Sequence, residues 1–269
     1  MIINSIKLLI ALFGVVITFA SCEYPKMADA AYPEQIIYMP AAKQGFFVIN
    51  SVSKAIGSVP TPGQPYKYVV DSASRKFIVP LGVFRGGVNS DGGFKVDIAV
   101  NTDTITKLIT AGSLAGTDIL PTGKYSIASS VVVLSGEEFT PFDLNVDLDF
   151  LRNNPNKKFA LGVAISSTQR KSNPALSTTI VVIDTKMMIP IANFTAKPDA
   201  TNPKKIIFTN TSLNALSYSW NFGDGSSAST DMAPTYTFAA AGTYTVMLTA
   251  IGITGDMDKS TKTAVIKIP

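Results

Sequence analysis

The sequence contains no histidine, and its single cysteine is Cys22. Without histidine no neutral side-chain base with a pKa near 7 is available, so Ser-His-Asp and Cys-His nucleophile pairs are excluded. A histidine zinc site is excluded on the same ground, and one thiolate cannot build a cysteine cage. One cysteine also forbids an internal disulfide, so an exported fold must be held by its apolar core. Glutamate is nearly as scarce, with Glu23, Glu34, Glu137 and Glu138 the full set. A glycosidase needs two carboxylates ~5–9.5 Å apart in a cleft. Glu23 and Glu34 fall in or beside a linker-like stretch, Glu137 and Glu138 fall in a turn-like one, and no aspartate stands in a catalytic context. The sequence is read as a non-enzyme with no catalytic residues, no metal and no cofactor.

Charge is sparse as well. Charged residues make up 16% of the chain, and the net charge of +4 contains no run of like sign. Nucleic acid demands a concentrated basic face and is not an expected partner. What is abundant is apolar material, 46% of 269 residues. That suffices for a real core and argues against wholesale disorder. At ~100–200 residues per domain, the length allows one or two.

Met1 to Lys7 ends in one positive charge, Leu8 to Ala20 is apolar or nearly so, and Ser21-Cys22 follows. This run falls short of the ~20 residues of a bilayer span. The polar, proline-bearing Glu23-Tyr24-Pro25-Lys26 then ends it. A basic start, an apolar middle and small residues at the break form an export signal over residues 1–21. Phe19-Ala20-Ser21-Cys22 resembles a bacterial lipobox, although Phe19 stands where leucine is commoner. The resemblance implies cleavage before Cys22, lipid attachment there, and the membrane as a partner. Each buried CH₂ stabilises such attachment by ~0.8 kcal/mol, so several acyl chains hold firmly. Residues 22–34, rich in Ala and Pro, read as a tether. The expected location is the cell envelope, at the outer membrane and facing outward.

Short β-rich runs recur after the tether, separated by Gly, Pro, Asn and Asp clusters. They are Gln35 to Met39, Phe46 to Val52, Tyr66 to Asp71, Lys76 to Phe84 and Phe94 to Asn101. Tyr125 to Leu134, Phe142 to Asp149, Lys158 to Ser166 and Thr178 to Asp184 continue the series. Many short strands between turn residues predict a sandwich or barrel. Thr102 to Gly112 is the exception: Ile105, Leu108 and Ile109 sit at helical spacing, with Asp103 as the expected cap and Gly112 as the stop. A second single turn is expected at Phe150 to Asn154, before Pro155. Phe142, Leu144, Val146 and Leu148 alternate with Asp143, Asn145, Asp147 and Asp149, which predicts one core face and one wet face. The carboxylates on the wet face are read as solvated rather than as a calcium site, because calcium takes ~6–8 oxygens from a loop that can wrap it.

Tyr38-Met39-Pro40-Ala41-Ala42, the Val96 to Thr102 strand, Leu120-Pro121-Thr122-Gly123-Lys124-Tyr125, Asn154-Pro155-Asn156 and Asn173-Pro174 occur in that order. Together they resemble the N-terminal domain of unknown function of Bacteroidota surface lipoproteins, covering Ile36 to about Lys186. Proteins of that group often carry glycan-binding modules or glycosidase domains further on, and no glycosidase domain follows here.

Pro190 marks the predicted boundary. Strands are expected at Ala192 to Ala196, Lys205 to Asn210, Ser217 to Phe222, Thr235 to Phe238, Gly242 to Ile251 and Thr261 to Ile268, a number that suits an immunoglobulin-like sandwich. Tyr218, Trp220 and Phe222 fall on one strand face, and each ring buries ~150–250 Å², so this strand should centre the core. Trp220 is therefore read as core rather than as a sugar-stacking platform, and Asp224 as a turn former rather than an acid. Trp220-Asn221-Phe222-Gly223-Asp224-Gly225, followed by Pro234-Thr235-Tyr236-Thr237-Phe238 and Gly242-Thr243-Tyr244-Thr245-Val246, closely resembles a PKD (polycystic kidney disease) domain. The resemblance implies an extracellular spacer, adhesion or accessory glycan-contact module.

The sequence thus predicts an all-β protein of two β-sandwich domains, residues 35–187 with one short helix and residues 190–269 immunoglobulin-like. The expected role is an accessory glycan-binding surface lipoprotein, with a structural or adhesive spacer for a protein partner as the alternative. Tyr24, Tyr32, Tyr66, Tyr68 and Phe84 are aromatics available for sugar stacking, but the residues alone select no binding face.

Overall fold

The computed structural model describes residues 34–53 and 65–269. The expected signal over residues 1–21, the expected lipid site Cys22 and the expected tether up to residue 33 lie outside the described residues. Gln35–Pro269 forms one compact unit.

The first part contains β1 (Ile36–Tyr38), β2 (Phe46–Ile49), β3 (Val69–Asp71), β4 (Lys76–Gly86) and β5 (Phe94–Val100). Helix α1 (Thr102–Thr110) follows, then β6 (Asp118–Ile119), β7 (Tyr125–Ile127), β8 (Ser130–Val133) and β9 (Phe139–Asp147). Helix α2 (Leu148–Arg152), β10 (Lys158–Ser166), β11 (Lys171–Ser172) and β12 (Thr178–Asp184) complete it. One sheet has the order β11-β1-β4-β9-β7, with β3 also on β4; the other runs β2-β12-β10-β5-β8, with β6 on β10. Between them lies an apolar core that includes Phe47, Phe77, Leu81, Leu144 and Leu161. The fold class is the expected all-β sandwich.

Three local expectations are corrected. Helix α1 is capped by Asn101, whose side chain accepts from the Thr104 N–H at 3.0 Å, while Asp103 lies in the first turn. Asn101 can cap because its backbone is still non-helical, the geometry that aims a side-chain oxygen at the orphan amides. The run Tyr125 to Leu134 is two strands: β7 joins the first sheet and β8 the second. Strand β9 ends at Asp147, because that carboxylate accepts from the Phe150 N–H at 2.9 Å and starts α2. Asp149 is therefore helical and not part of the strand's wet face, although Phe142, Leu144, Val146 and Leu148 are all buried as expected.

Helix α1 covers the outer face of the second sheet, packing Ile105 with Leu114 on Ala160, Ile180 and Val182. That cover explains why β10 and β12 are nearly continuous apolar runs rather than alternating ones: both of their faces are buried. The first sheet's outer face instead presents partly exposed side chains, Tyr38, Phe84 and Phe139 among them.

The second part is a smaller sandwich. One sheet pairs β13 (Phe194–Pro198), β14 (Lys205–Asn210) and β16 (Thr235–Thr237); the other pairs β15 (Ser217–Asn221), β17 (Gly242–Gly252) and β18 (Gly255–Ile268). Trp220 is fully buried among Phe194, Phe208, Phe222, Phe238 and Leu248, and its indole N–H donates to the Asp231 carbonyl at 3.0 Å. Gly223 has φ +78°, and a Cβ there would lie 2.4 Å from the Thr245 carbonyl oxygen. Glycine meets both demands of that turn, the left-handed backbone and the close approach. The Tyr244 hydroxyl donates to the Ala240 carbonyl at 3.0 Å, the upstream tether of a tyrosine corner.

The two sandwiches share more than a linker. The β17–β18 hairpin carries Ile253 into the first sandwich's core, where it is 7% exposed, and Met257 packs beside it. Arg152 of α2 forks onto Asp258, with Nε and Nη2 at 2.6 and 2.9 Å from its two oxygens. Nη2 also donates to the Met257 carbonyl at 3.2 Å, Nη1 donates to Asp149 at 3.1 Å, and the Thr254 hydroxyl donates to Asp258 at 2.7 Å. From the other side, the Asn214 amide donates to the carbonyls of Lys186 and Ile189.

This junction titrates in a definite direction. The Arg152 fork holds the Asp258 carboxyl below the ordinary carboxylate range. A depressed folded pKa means that the stabilisation is fully present above the unfolded value of ~3.9 and is lost as pH falls through the lower folded value. Asp258→Asn is expected to cost ~1–3 kcal/mol at pH 7, the range for charge-assisted hydrogen bonds, and to flatten the fall in stability below about pH 4. Urea unfolding at pH 7 and pH 3 checks this, and an unchanged pH slope in the variant would refute it.

Candidate functional site

The register of the first sheet builds a row of rings that no single segment contains. Tyr38 of β1 stands opposite Phe84 of β4, and Phe84 stands opposite Phe139 of β9. Ring centroids are 5.7 Å apart for Tyr38–Phe84 and 4.9 Å apart for Phe84–Phe139. All three are partly exposed. Alternation along β4 sends Phe77, Val79, Leu81 and Val83 inward, so Phe84 must face outward. On the same face Gly82 lies beneath the Phe139 ring, where a Cβ would come within 2.1 Å of a ring carbon. Glycine lets that ring settle onto the strand.

Further along β4 and β9 the outer face carries Pro80 opposite Asp143, Ile78 opposite Asn145, and Lys76 opposite Asp147. At this end an open groove of about 430 Å³ is lined by Arg75, Lys76, Lys124, Ser126, Asn145 and Asp147, among others. Its charges are largely paired: Lys124 Nζ lies 3.1 Å from Asp147, and Arg75 Nε lies 3.0 Å from Asp149. The Phe150 N–H, then Lys124, hold Asp147 below the usual carboxylate range, whereas burial pushes Asp143 up. No group of three or more His, Cys, Asp or Glu side chains among the described residues could hold a metal ion.

Of the aromatics named from sequence, Tyr24 and Tyr32 lie outside the described residues. Tyr66 is 50% exposed, but Tyr68 is fully buried. The Tyr68 hydroxyl donates to the Val52 carbonyl at 2.8 Å, and burial raises its pKa to about 12. Tyr68 is core and cannot stack on a ligand. Among the described members of that set, Phe84 alone belongs to the ring row; Tyr38 and Phe139 join it through strand pairing, which no local pattern signals. Cys22 lies outside the described residues. Asp224 is a turn residue as expected: its carboxylate accepts from the Ser226 N–H and the Tyr236 hydroxyl, and the tyrosine bond, first among the causes, lowers its pKa.

Residues 188–268 match the PKD domain family. This stretch is a PKD domain. Residues 47–172, the bulk of the first sandwich, match a family of N-terminal domains. Over 139 residues the chain is 30% identical to a pre-pro-metalloprotease, PrtV, of Vibrio cholerae, a match that spans 50% of this chain and 13% of that protein's length. The solved PKD1 domain of the same protease is 36% identical, with 30% of this chain and 96% of that one covered and a TM-score of 0.27. An auxiliary nutrient binding protein from Bacteroides thetaiotaomicron is 13% identical, with 82% of this chain and 70% of that one covered and a TM-score of 0.34.

Proposed function

We propose that this is a non-catalytic, lipid-anchored accessory protein of the bacterial cell envelope, displayed at the outer membrane, that binds glycan through its first domain. In this reading residues 22–34 tether the protein to lipid at Cys22, residues 35–187 form the binding domain, and the PKD domain occupies 190–269. The observation that carries the reading is the partly exposed ring row Tyr38–Phe84–Phe139 on a sheet face, since flat apolar rings beside polar groups are what a pyranose stacks on. Rings standing in a row toward water forgo the ~25 cal/mol per Å² that burial would return, so a contiguous apolar patch of this kind marks an interaction surface. The lack of catalysis is supported by the absence of histidine and by the duties of the acids: Asp147 and Asp258 sit in caps and ion pairs.

Two measurements test the proposal. Mass spectrometry of the mature protein is expected to find Cys22 acylated at its N-terminus, with Cys22→Ser shifting the protein out of the membrane fraction; an unacylated thiol would remove the anchor. Affinity electrophoresis against a polysaccharide panel is expected to retard the protein without releasing reducing ends. Retardation by no polysaccharide would remove the glycan reading.

A further inference from the structure

We propose that the outer face of the first sheet is a track for one uncharged polysaccharide chain, stacked on Tyr38, Phe84 and Phe139 at one end and hydrogen-bonded in the Lys124–Asn145 groove at the other. This rests on the glycan-binding reading and adds the site, the direction and the chemical class of ligand.

The direction follows from the pleat. Phe84, Gly82, Pro80, Ile78 and Lys76 share one face of β4, and their partners Phe139, Pro141, Asp143, Asn145 and Asp147 share the same face of β9. From Phe84 to Lys76 that face is ~26 Å long at the usual rise of a strand, enough for several sugar rings in line. Its middle is low, with Gly82, Pro80 and Pro141 raising no long side chain between the two ends and Asp143 its one charged group. A linear chain can lie along it without climbing.

The two ends offer complementary contacts. The rings supply apolar faces and edges for the C–H surfaces of a sugar. The groove supplies what sugar hydroxyls pair with: the Asn145 amide, the Ser126 hydroxyl and the Lys124 ammonium. A site that positions a ligand by a few polar groups beside apolar surface is the usual form of small-ligand recognition.

The charge class follows from the ion pairs. Lys124 and Arg75 are engaged by Asp147 and Asp149, and Lys76 stands opposite Asp71 within reach of its charge, so the groove presents little net field. The Asp143 side chain stays open to water mid-track although its neighbours partly desolvate the carboxyl, and it makes no ion pair among those found for the described residues. A uronate or sulfate chain lying along the track would bring like charge onto Asp143. A neutral hexose or pentose polymer meets no such penalty.

The test uses the purified protein with neutral β-glucan, mannan and xylan on one side and polygalacturonate and chondroitin sulfate on the other. Calorimetry and affinity gels are expected to show binding confined to neutral polymers. Tyr38→Ala, and separately Asn145→Ala with Ser126→Ala, are each expected to weaken it about tenfold, the loss of one stacking ring or of a pair of hydrogen bonds. Tyr38→Leu keeps apolar packing in the row and guards against a folding artefact, and matched thermal midpoints qualify each variant. Asp143→Lys is expected to admit the polyanions. Preference of the unaltered protein for polyanions would overturn the charge class. Full affinity in both sets of folded variants would overturn the track while leaving the glycan reading intact, and no binding to any polymer would overturn both.

Discussion

Trp220→Ala is expected to destabilise the PKD domain by ~3–5 kcal/mol, the upper range for large-to-small core substitutions. The indole is fully buried, with ring centroids 5.1 Å from Phe194 and 5.3 Å from Phe208. Truncation would remove these contacts and leave a void that neighbours drawn from both sheets cannot close without breaking their own strand pairing. The Asp231 carbonyl would also lose the donor that Trp220 supplies. Against a typical domain stability of ~5–15 kcal/mol, such a loss leaves the module marginal. Trp220→Phe should cost less, because it retains most of the ring volume. Calorimetry of the three proteins checks the order, and an alanine variant within about 1 kcal/mol of the unaltered protein would contradict the central position assigned to this residue.

Ile253→Asp is expected to separate the unfolding of the two sandwiches. The side chain belongs to the hairpin of the second but lies in the core of the first. A carboxylate there would lose the apolar contacts and bury an unpaired charge in an apolar core, at a cost of about 3–5 kcal/mol. Trp220 is the only tryptophan in the chain, so its fluorescence reports the PKD domain alone. Far-UV circular dichroism reports both sandwiches. In the unaltered protein the two transitions are expected to coincide, since Ile253, Met257 and the Arg152–Asp258 fork tie the units together. In Ile253→Asp they should diverge, with the first sandwich melting earlier. Coincident transitions in the variant would show that the hairpin contact carries little coupling.

Local physics was sufficient for much of the architecture. The strands Lys158–Ser166, Thr178–Asp184 and Lys205–Asn210 fall where turn residues and β-branched runs placed them. Helix α1 is legible from the spacing of Ile105, Leu108 and Ile109, but its cap, Asn101, lies two residues ahead of the expected Asp103. Asn101 closes a predicted strand, and only the backbone turn at its end shows that its amide is free to cap. The β7–β8 run looked single because Ala128 and Ser129 hold no Gly or Pro to mark the crossing between sheets. Tyr68 looked as available as Tyr66, and burial alone tells them apart.

The amino-acid order by itself determined that histidine is absent, the all-β character, and the PKD module, because composition, alternation and the Trp220 to Val246 motif are short-range properties. The tertiary structure alone decided which aromatics share a surface and that a hairpin of one sandwich completes the core of the other. Both depend on pairing between residues far apart in the chain. The Tyr38–Phe84–Phe139 row needs three strands in one register, and a slip of a single residue would turn the rings to the opposite face.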